Sequence, residues 1–212
     1  MPDLFWTDCS ELDVSSIPVP LSDYRREKLA RLRDPRLRRS SAAVELLLIR
    51  ALSARPDTPP LPLNICCDDM GKPFLPDSRY FFNLSHSGDY AACCLAEYPV
   101  GVDIQILRPC RKELVERFFS SAEQEHIALC EDKDRAFTRI WARKESFLKA
   151  IGLGLRLPLA SLETAPETDR IHYGTDVFVF REEELPDGQL CLCVPAAYAE
   201  EKLNLARVEL PG

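Results

Sequence analysis

Residues 134–151 carry apolar side chains at helical spacing, contain no proline or glycine, and stop at Gly152, the residue type that most readily takes the left-handed turn ending a helix. Within this run Trp141, Glu145 and Lys149 recur every four residues, so a ring, a carboxylate and an ammonium share one face. Upstream, Val100-Gly101-Val102-Asp103-Ile104 reads as a short apolar strand. Asp103 and Gln105 project to the same side of it, because strand side chains alternate. A long amphipathic helix laid on strands implies a mixed fold, and acids on both elements can be gathered around a metal and a phosphate.

The rest of the chain fits that class. Tyr24, Lys28, Leu29 and Leu32 have helical spacing after Ser22, a good N-cap, and Pro35 marks a break. A second helix is expected from Ser40 or Ser41 to about Ser53, then a loop over 56–62, where Pro56, Pro59, Pro60 and Pro62 exclude helix and central strand. Short strands are expected over 63–67, 80–84, 90–96 and 100–106, separated by turn formers such as Ser87-Gly88-Asp89. A helix over 112–119 is followed by Ser120 and Glu123 at capping-box spacing. Strands over 177–181 and 190–194 form a hairpin through Pro186-Asp187-Gly188.

A chain of 212 residues, 46% hydrophobic and 29% charged, can bury a core without staples and has the composition of a soluble globular protein. The net charge of -7 argues against a nucleic-acid binder. No apolar run approaches the roughly twenty residues needed to span a bilayer, and the acidic start Met1-Pro2-Asp3 is unlike a leader, so a cytoplasmic protein with no membrane partner is expected. The nine cysteines, with adjacent pairs at 66–67 and 93–94, match no zinc spacing and are expected to be small buried hydrophobes in a reducing compartment.

Read together, Gly101-Val102-Asp103-Ile104 and the later Trp141-Ala142-Arg143-Lys144-Glu145-Ser146-Phe147-Leu148-Lys149 resemble the Sfp-type 4'-phosphopantetheinyl transferases. Gly71-Lys72-Pro73, the run Phe82-Asn83-Leu84-Ser85-His86-Ser87-Gly88 and Arg117-Phe118-Phe119-Ser120 ahead of Glu123 fit the same family in order. The resemblance implies an α+β fold of two pseudo-symmetric lobes, residues 1–105 and 106–212, each a small antiparallel sheet packed with helices, with the active site between them. It implies transfer of 4'-phosphopantetheine from coenzyme A to a serine of an apo acyl- or peptidyl-carrier protein, dependent on Mg2+ or Mn2+, with release of 3',5'-ADP. A monomer is implied as well.

On this resemblance Asp103 and Glu145 hold the metal together with Gln105, which stands where many relatives have a glutamate and either coordinates through its amide oxygen or supports the ligands from behind. Asp103, Glu145 and Lys149 do the catalytic work, Glu145 doubling as the base for the serine hydroxyl. Lys28, Arg39, Ser40, Lys72, Pro73, Ser85, His86, Lys144 and Lys149 meet coenzyme A. Arg111, Lys112 and Arg117 are candidates for carrier docking, and Trp141 is structural. The rival reading is a catalytically impaired protein of the same fold that binds coenzyme A or carrier protein, having lost an acid at 105.

Overall fold

A computed structural model describes residues 1–210. Along the chain run β1 (Asp3–Asp8), α1 (Asp23–Arg31), α2 (Pro35–Ser53), the two-residue strands β2 (Cys66–Cys67) and β3 (Pro73–Phe74), β4 (Phe81–Ser87) and β5 (Tyr90–Ala96). They are followed by β6 (Gly101–Ile106), α3 (Lys112–Phe118), α4 (Ser121–Leu129), α5 (Lys133–Ile151), β7 (Arg170–Tyr173), β8 (Asp176–Leu185), β9 (Gly188–Pro195) and β10 (Asn204–Arg207). The chain is α+β. It divides into two units, Met1–Val100 with the segment from Glu201 onward, and Gly101–Glu200. The boundary expected at 105/106 therefore moves to the start of β6, and the C-terminal strand returns to the first unit, where β10 pairs in parallel with β1.

In the first unit the strand order is β10-β1-β5-β4, with β5 antiparallel to both β1 and β4. Helix α2 shares its core with this sheet: Ala43, Leu47, Leu48 and Ala51 are fully covered and cluster with Phe5, Phe82, Cys93 and Leu95. Cys93 and Cys94 point to opposite faces of β5 and are both fully buried, so the strand is covered on each side. Cys66, Cys67, Cys110 and Cys130 depart from the expected burial; Cys67 is exposed and the other three are half-buried.

The second unit has the order β6-β9-β8-β7, antiparallel throughout. Its hairpin runs through Pro186 and Asp187, with strands longer than the sequence suggested because β8 extends over the exposed Glu183 and Glu184. Each unit repeats one topology: a first strand, then helices ending in one of 19 residues, then a hairpin whose last strand pairs with the first. That repetition of topology accords with the two related lobes the resemblance implied.

Helix α2 starts at Pro35, earlier than expected from Ser40. Proline has no N–H to lose at the first helical position, and the Asp34 carboxylate caps the helix by accepting from Arg36 N at 2.8 Å. Both units bury a charge pair between the long helix and the helix before it. In the first, Glu45 of α2 accepts from Ser22 N at 2.6 Å, Ser22 Oγ at 2.8 Å and Arg25 Nε at 3.2 Å. In the second, Lys144 of α5 reaches Glu123 of α4 at 2.7 Å, and Glu123 also accepts from Thr164 N and Oγ1 and from Ser120 N, completing the capping box.

Gly101 is where β6 crosses α5 backbone to backbone. A Cβ there would stand 1.9 Å from Ser146 O and 2.3 Å from Ala150 N, distances that no rearrangement of a side-chain tip can relieve. Gly101→Ala is therefore expected to destabilise the protein by about 3 kcal/mol or more, measured by urea unfolding, because strand and helix must separate.

Candidate active site

Gly101 lets β6 lie against α5 and so brings Asp103 beneath the helix. Asp103 is 1% exposed. Its Oδ1 accepts from Lys149 Nζ at 2.6 Å and its Oδ2 from Gln105 Nε2 at 2.8 Å. Lys149 Nζ also donates to Val102 O at 3.1 Å, which anchors the ammonium to the strand. Glu145 lies one turn before Lys149 and is half-buried. Burial, and next the charge of Asp103, push its carboxyl above the ordinary range, while Lys149 pulls it back. The structure thus gathers Asp103, Gln105, Glu145 and Lys149 on two elements of one unit, where the sequence reading had assigned Asp103 to the other lobe. Lys149 is bound to the strand as well as lying one turn from Glu145.

The first unit carries the other candidates. Ser85 and His86 lie inside β4; the turn expected to hold them begins only at Gly88, which has φ 60°. As neighbours on a strand they face opposite sides of the sheet. His86 Nδ1 lies 3.3 Å from Ser40 Oγ on α2, so Ser40 and His86 come together. Next to Ser40, Arg39 reaches Asp89 at 3.6 Å, the same carboxylate that Arg36 holds at 2.8 Å, and its buried Nε has no partner among the described residues.

Lys28 stands on the exposed side of α1 near Cys67, and crowding by protein, with the charge of Arg25, pushes its ammonium below the ordinary range. Cys67 pairs with Pro73 across β2 and β3, so Lys28 and Pro73 flank one hairpin. Half-buried Lys72 sits in that hairpin's turn, where Asp68 accepts from the backbone of Met70 and Lys72 at 2.9 and 2.8 Å and Gly71 takes φ 80°. Burial pushes the Lys72 ammonium down and Asp68 opposes it.

Lys144 is a correction. It was expected to meet coenzyme A, but its ammonium is wholly buried and its three hydrogens are directed at Glu123, Leu159 O at 2.8 Å and Leu162 O at 2.5 Å. The adjacent Arg143, which the sequence reading left without a role, is likewise buried, donating to Thr164, Ala165 and Thr168 carbonyls and pairing with Glu182 at 3.1 Å. The two ties fix the 159–168 segment to α5. Trp141 is structural as expected, stacked with Phe137 and edge-on to Phe118.

Arg111, Lys112 and Arg117 separate. Lys112 pairs with Glu116 in solvent and Arg117 lies over the Phe118 ring. Arg111 lines a hollow of about 370 Å³ with Leu107, Arg108, Leu114, Phe137 and Trp141. Arg108 was missed by sequence reading, although it stands just beyond β6 and ahead of Pro109.

The model of the 4'-phosphopantetheinyl transferase superfamily matches residues 99–187, the span that holds Asp103, Glu145 and Lys149. The chain is 32% identical over 171 residues to 4'-phosphopantetheinyl transferase Sfp of Bacillus subtilis, covering 79% of this chain and 72% of that one. The chain belongs to the 4'-phosphopantetheinyl transferase family. It is also 31% identical to 4'-phosphopantetheinyl transferase HetI of a Nostoc species, over 70% of this chain and 66% of that one. A human family member, L-aminoadipate-semialdehyde dehydrogenase-phosphopantetheinyl transferase, is 37% identical over 54% of this chain and 44% of its own. With these relatives, the chain is a transferase.

Two substitutions separate site from scaffold. Lys144→Met leaves Glu123 buried and unpaired, so a loss of about 3–5 kcal/mol in urea unfolding is expected, with unchanged coenzyme A affinity of the folded fraction by calorimetry. For Glu145 the sign is opposite. Its folded carboxyl binds a proton more tightly than the unfolded chain does, so ionised Glu145 lowers stability as pH rises above its ordinary value of 4.5. Glu145→Gln is therefore expected to raise the urea midpoint at pH 7 and to lose that advantage as pH falls towards 4.5.

Proposed function

We propose that this transferase moves 4'-phosphopantetheine from coenzyme A to a serine of an apo acyl- or peptidyl-carrier protein, with Mg2+ or Mn2+ at Asp103 and Glu145, and releases 3',5'-ADP. The observation that carries the reading is the approach of two acids, Asp103 buried beneath α5 and half-buried Glu145, whose carboxyl is raised first by burial and then by the charge of Asp103. Two neighbouring acids shielded from water suit a small hard cation, which takes one or two carboxylates and leaves its other positions to phosphate oxygens and water. Gln105 contributes an amide on the same side of β6, neutral where an acid would add a charge, and it holds Asp103 in place by its N–H. When bound, the ion supplies positive charge to the diphosphate and relieves the repulsion between the acids.

The chain's own residues do the rest. Glu145, held above the ordinary carboxylate range, is suited to take the proton from the serine hydroxyl as its oxygen attacks the β-phosphorus. Lys149, fixed by Asp103 and Val102 O, places an ammonium for the negative charge that develops as the bond to 3',5'-ADP breaks. Little covalent help is needed for such a displacement; alignment and charge neutralisation lower the barrier. On the first unit, the orphaned Nε of Arg39 beside Ser40 and His86, and the ammonium groups of Lys28 on α1 and Lys72 in the β2–β3 turn, are donors suited to the phosphates of coenzyme A, with Pro73 shaping that turn and Ser85 on the other face of β4. Arg108 and Arg111, around an apolar floor, favour an acidic carrier surface. Among the described residues no helix is long and apolar enough to cross a membrane.

Incubation with coenzyme A, Mg2+ and an apo-carrier, followed by mass spectrometry of the carrier, tests the proposal. Asp103→Asn and Glu145→Gln are expected to lower kcat by about a hundredfold or more, whereas His86→Ala raises KM for coenzyme A with little change in kcat. Gln105→Glu is expected to lower the Mg2+ concentration for half-maximal rate. Coenzyme A binding without any modified carrier would instead support the impaired binding protein.

A further inference from the structure

A second constellation lies in the same unit, on α4, and the transfer chemistry makes no use of it. Cys130 caps the C-terminal end of α4, and its Sγ is 3.5 Å from Nε2 of His126, one turn earlier. The other ring nitrogen of His126, Nδ1, is 2.6 Å from Glu167 Oε1. A carboxylate on Nδ1 fixes the proton there and leaves Nε2 to accept from the thiol, the arrangement of nucleophile, base and orienting acid that activates cysteines. Both Cys130 and His126 open onto a hollow of about 560 Å³ whose walls include Arg135, Arg139, Glu131, Asp132, Glu182 and Glu184.

We propose that Cys130 is a reactive thiol that undergoes exchange with small uncharged disulfides entering this hollow. The Cys130 proton passes to His126 Nε2 and Sγ attacks one sulfur of the disulfide. The sulfur–sulfur bond of the reagent breaks as the new bond to Cys130 forms. The departing thiolate takes the proton back from His126 and leaves as a thiol, so one half of the reagent is reduced while Cys130 is oxidised to a mixed disulfide. The preference for an uncharged reagent follows from the walls. Arg139 is held by Glu182 at 2.9 and 2.8 Å, and Arg135 by Glu184 at 3.0 Å and Asp132 at 3.7 Å, so neither guanidinium is left to attract an anion, and with Glu131 the acids of the walls outnumber the guanidiniums.

The test treats the full chain at pH 7 with bis(2-hydroxyethyl) disulfide and follows each cysteine by peptide mass spectrometry. Exposed Cys67, which has Lys28 nearby, serves as an internal reference, and fully buried Cys93, unreactive while the chain is folded, checks that the fold is intact. Cys130 is expected to react about tenfold faster than Cys67 despite its lower exposure, and His126→Gln to slow Cys130 by about tenfold while Cys67 keeps its rate. Glu167→Gln is expected to slow Cys130 by a smaller factor, and glutathione disulfide, which is anionic, to react more slowly than the neutral reagent. A Cys130 rate no greater than that of Cys67, or one unaffected by His126→Gln, overturns the assignment. Equal rates with the anionic and neutral reagents overturn the stated class of ligand.

Discussion

The contact on which the second unit depends is the crossing of β6 and α5 at Gly101, where no side chain separates the two backbones. With any other residue the strand would stand off from the helix, and Asp103 would lose the reach of Lys149 at 2.6 Å. A second contact of this kind fixes the far end of the strand. A Cβ on Gly188 would stand 2.4 Å from Gln105 O, so the β8–β9 hairpin closes directly onto the end of β6. Position and chemistry are therefore set together, by two glycines that take no part in the reaction.

The arrangement carries a cost in stability that suits its use. Asp103 is satisfied by Lys149 and Gln105, but the Glu145 carboxyl is raised by burial and next by that same negative charge. A helix face evolved for stability alone would place a neutral residue there. The buried ties of Arg143 and Lys144 on neighbouring positions hold α5 against the strain, each bonded to backbone carbonyls as well as to an acid.

The parts of the fold legible in the sequence are those whose signals are local. Helix α5 with Gly152, the Ser120–Glu123 capping box and the Ser22 cap of α1 each depend on residues within a few positions of one another, and each is present. The pairing of β10 with β1 joins residues near opposite ends of the chain, and no local pattern reports it. Pro35 marks a break on the rule that proline ends helices; proline also begins them, and Asp34 just before it is the capping signal. Within the site, Asp103, Glu145 and Lys149 follow from spacing and resemblance. The fate of Lys144 does not, since spacing gives its direction around the helix and not the acid that α4 brings to meet it.

The buried pairs of the two units have reversed polarity. In one the long helix α2 carries the acid and α1 the cation; in the other the long helix α5 carries the cation and α4 the acid. Two halves built on one topology risk exchanging helices while the chain is still collapsing. Here an exchange would set Glu45 against Glu123, or Arg25 against Lys144, sealing like charges away from water with nothing to neutralise them. Opposite polarity thus makes the exchanged pairing unfavourable on charge alone, whatever the fit of its apolar faces.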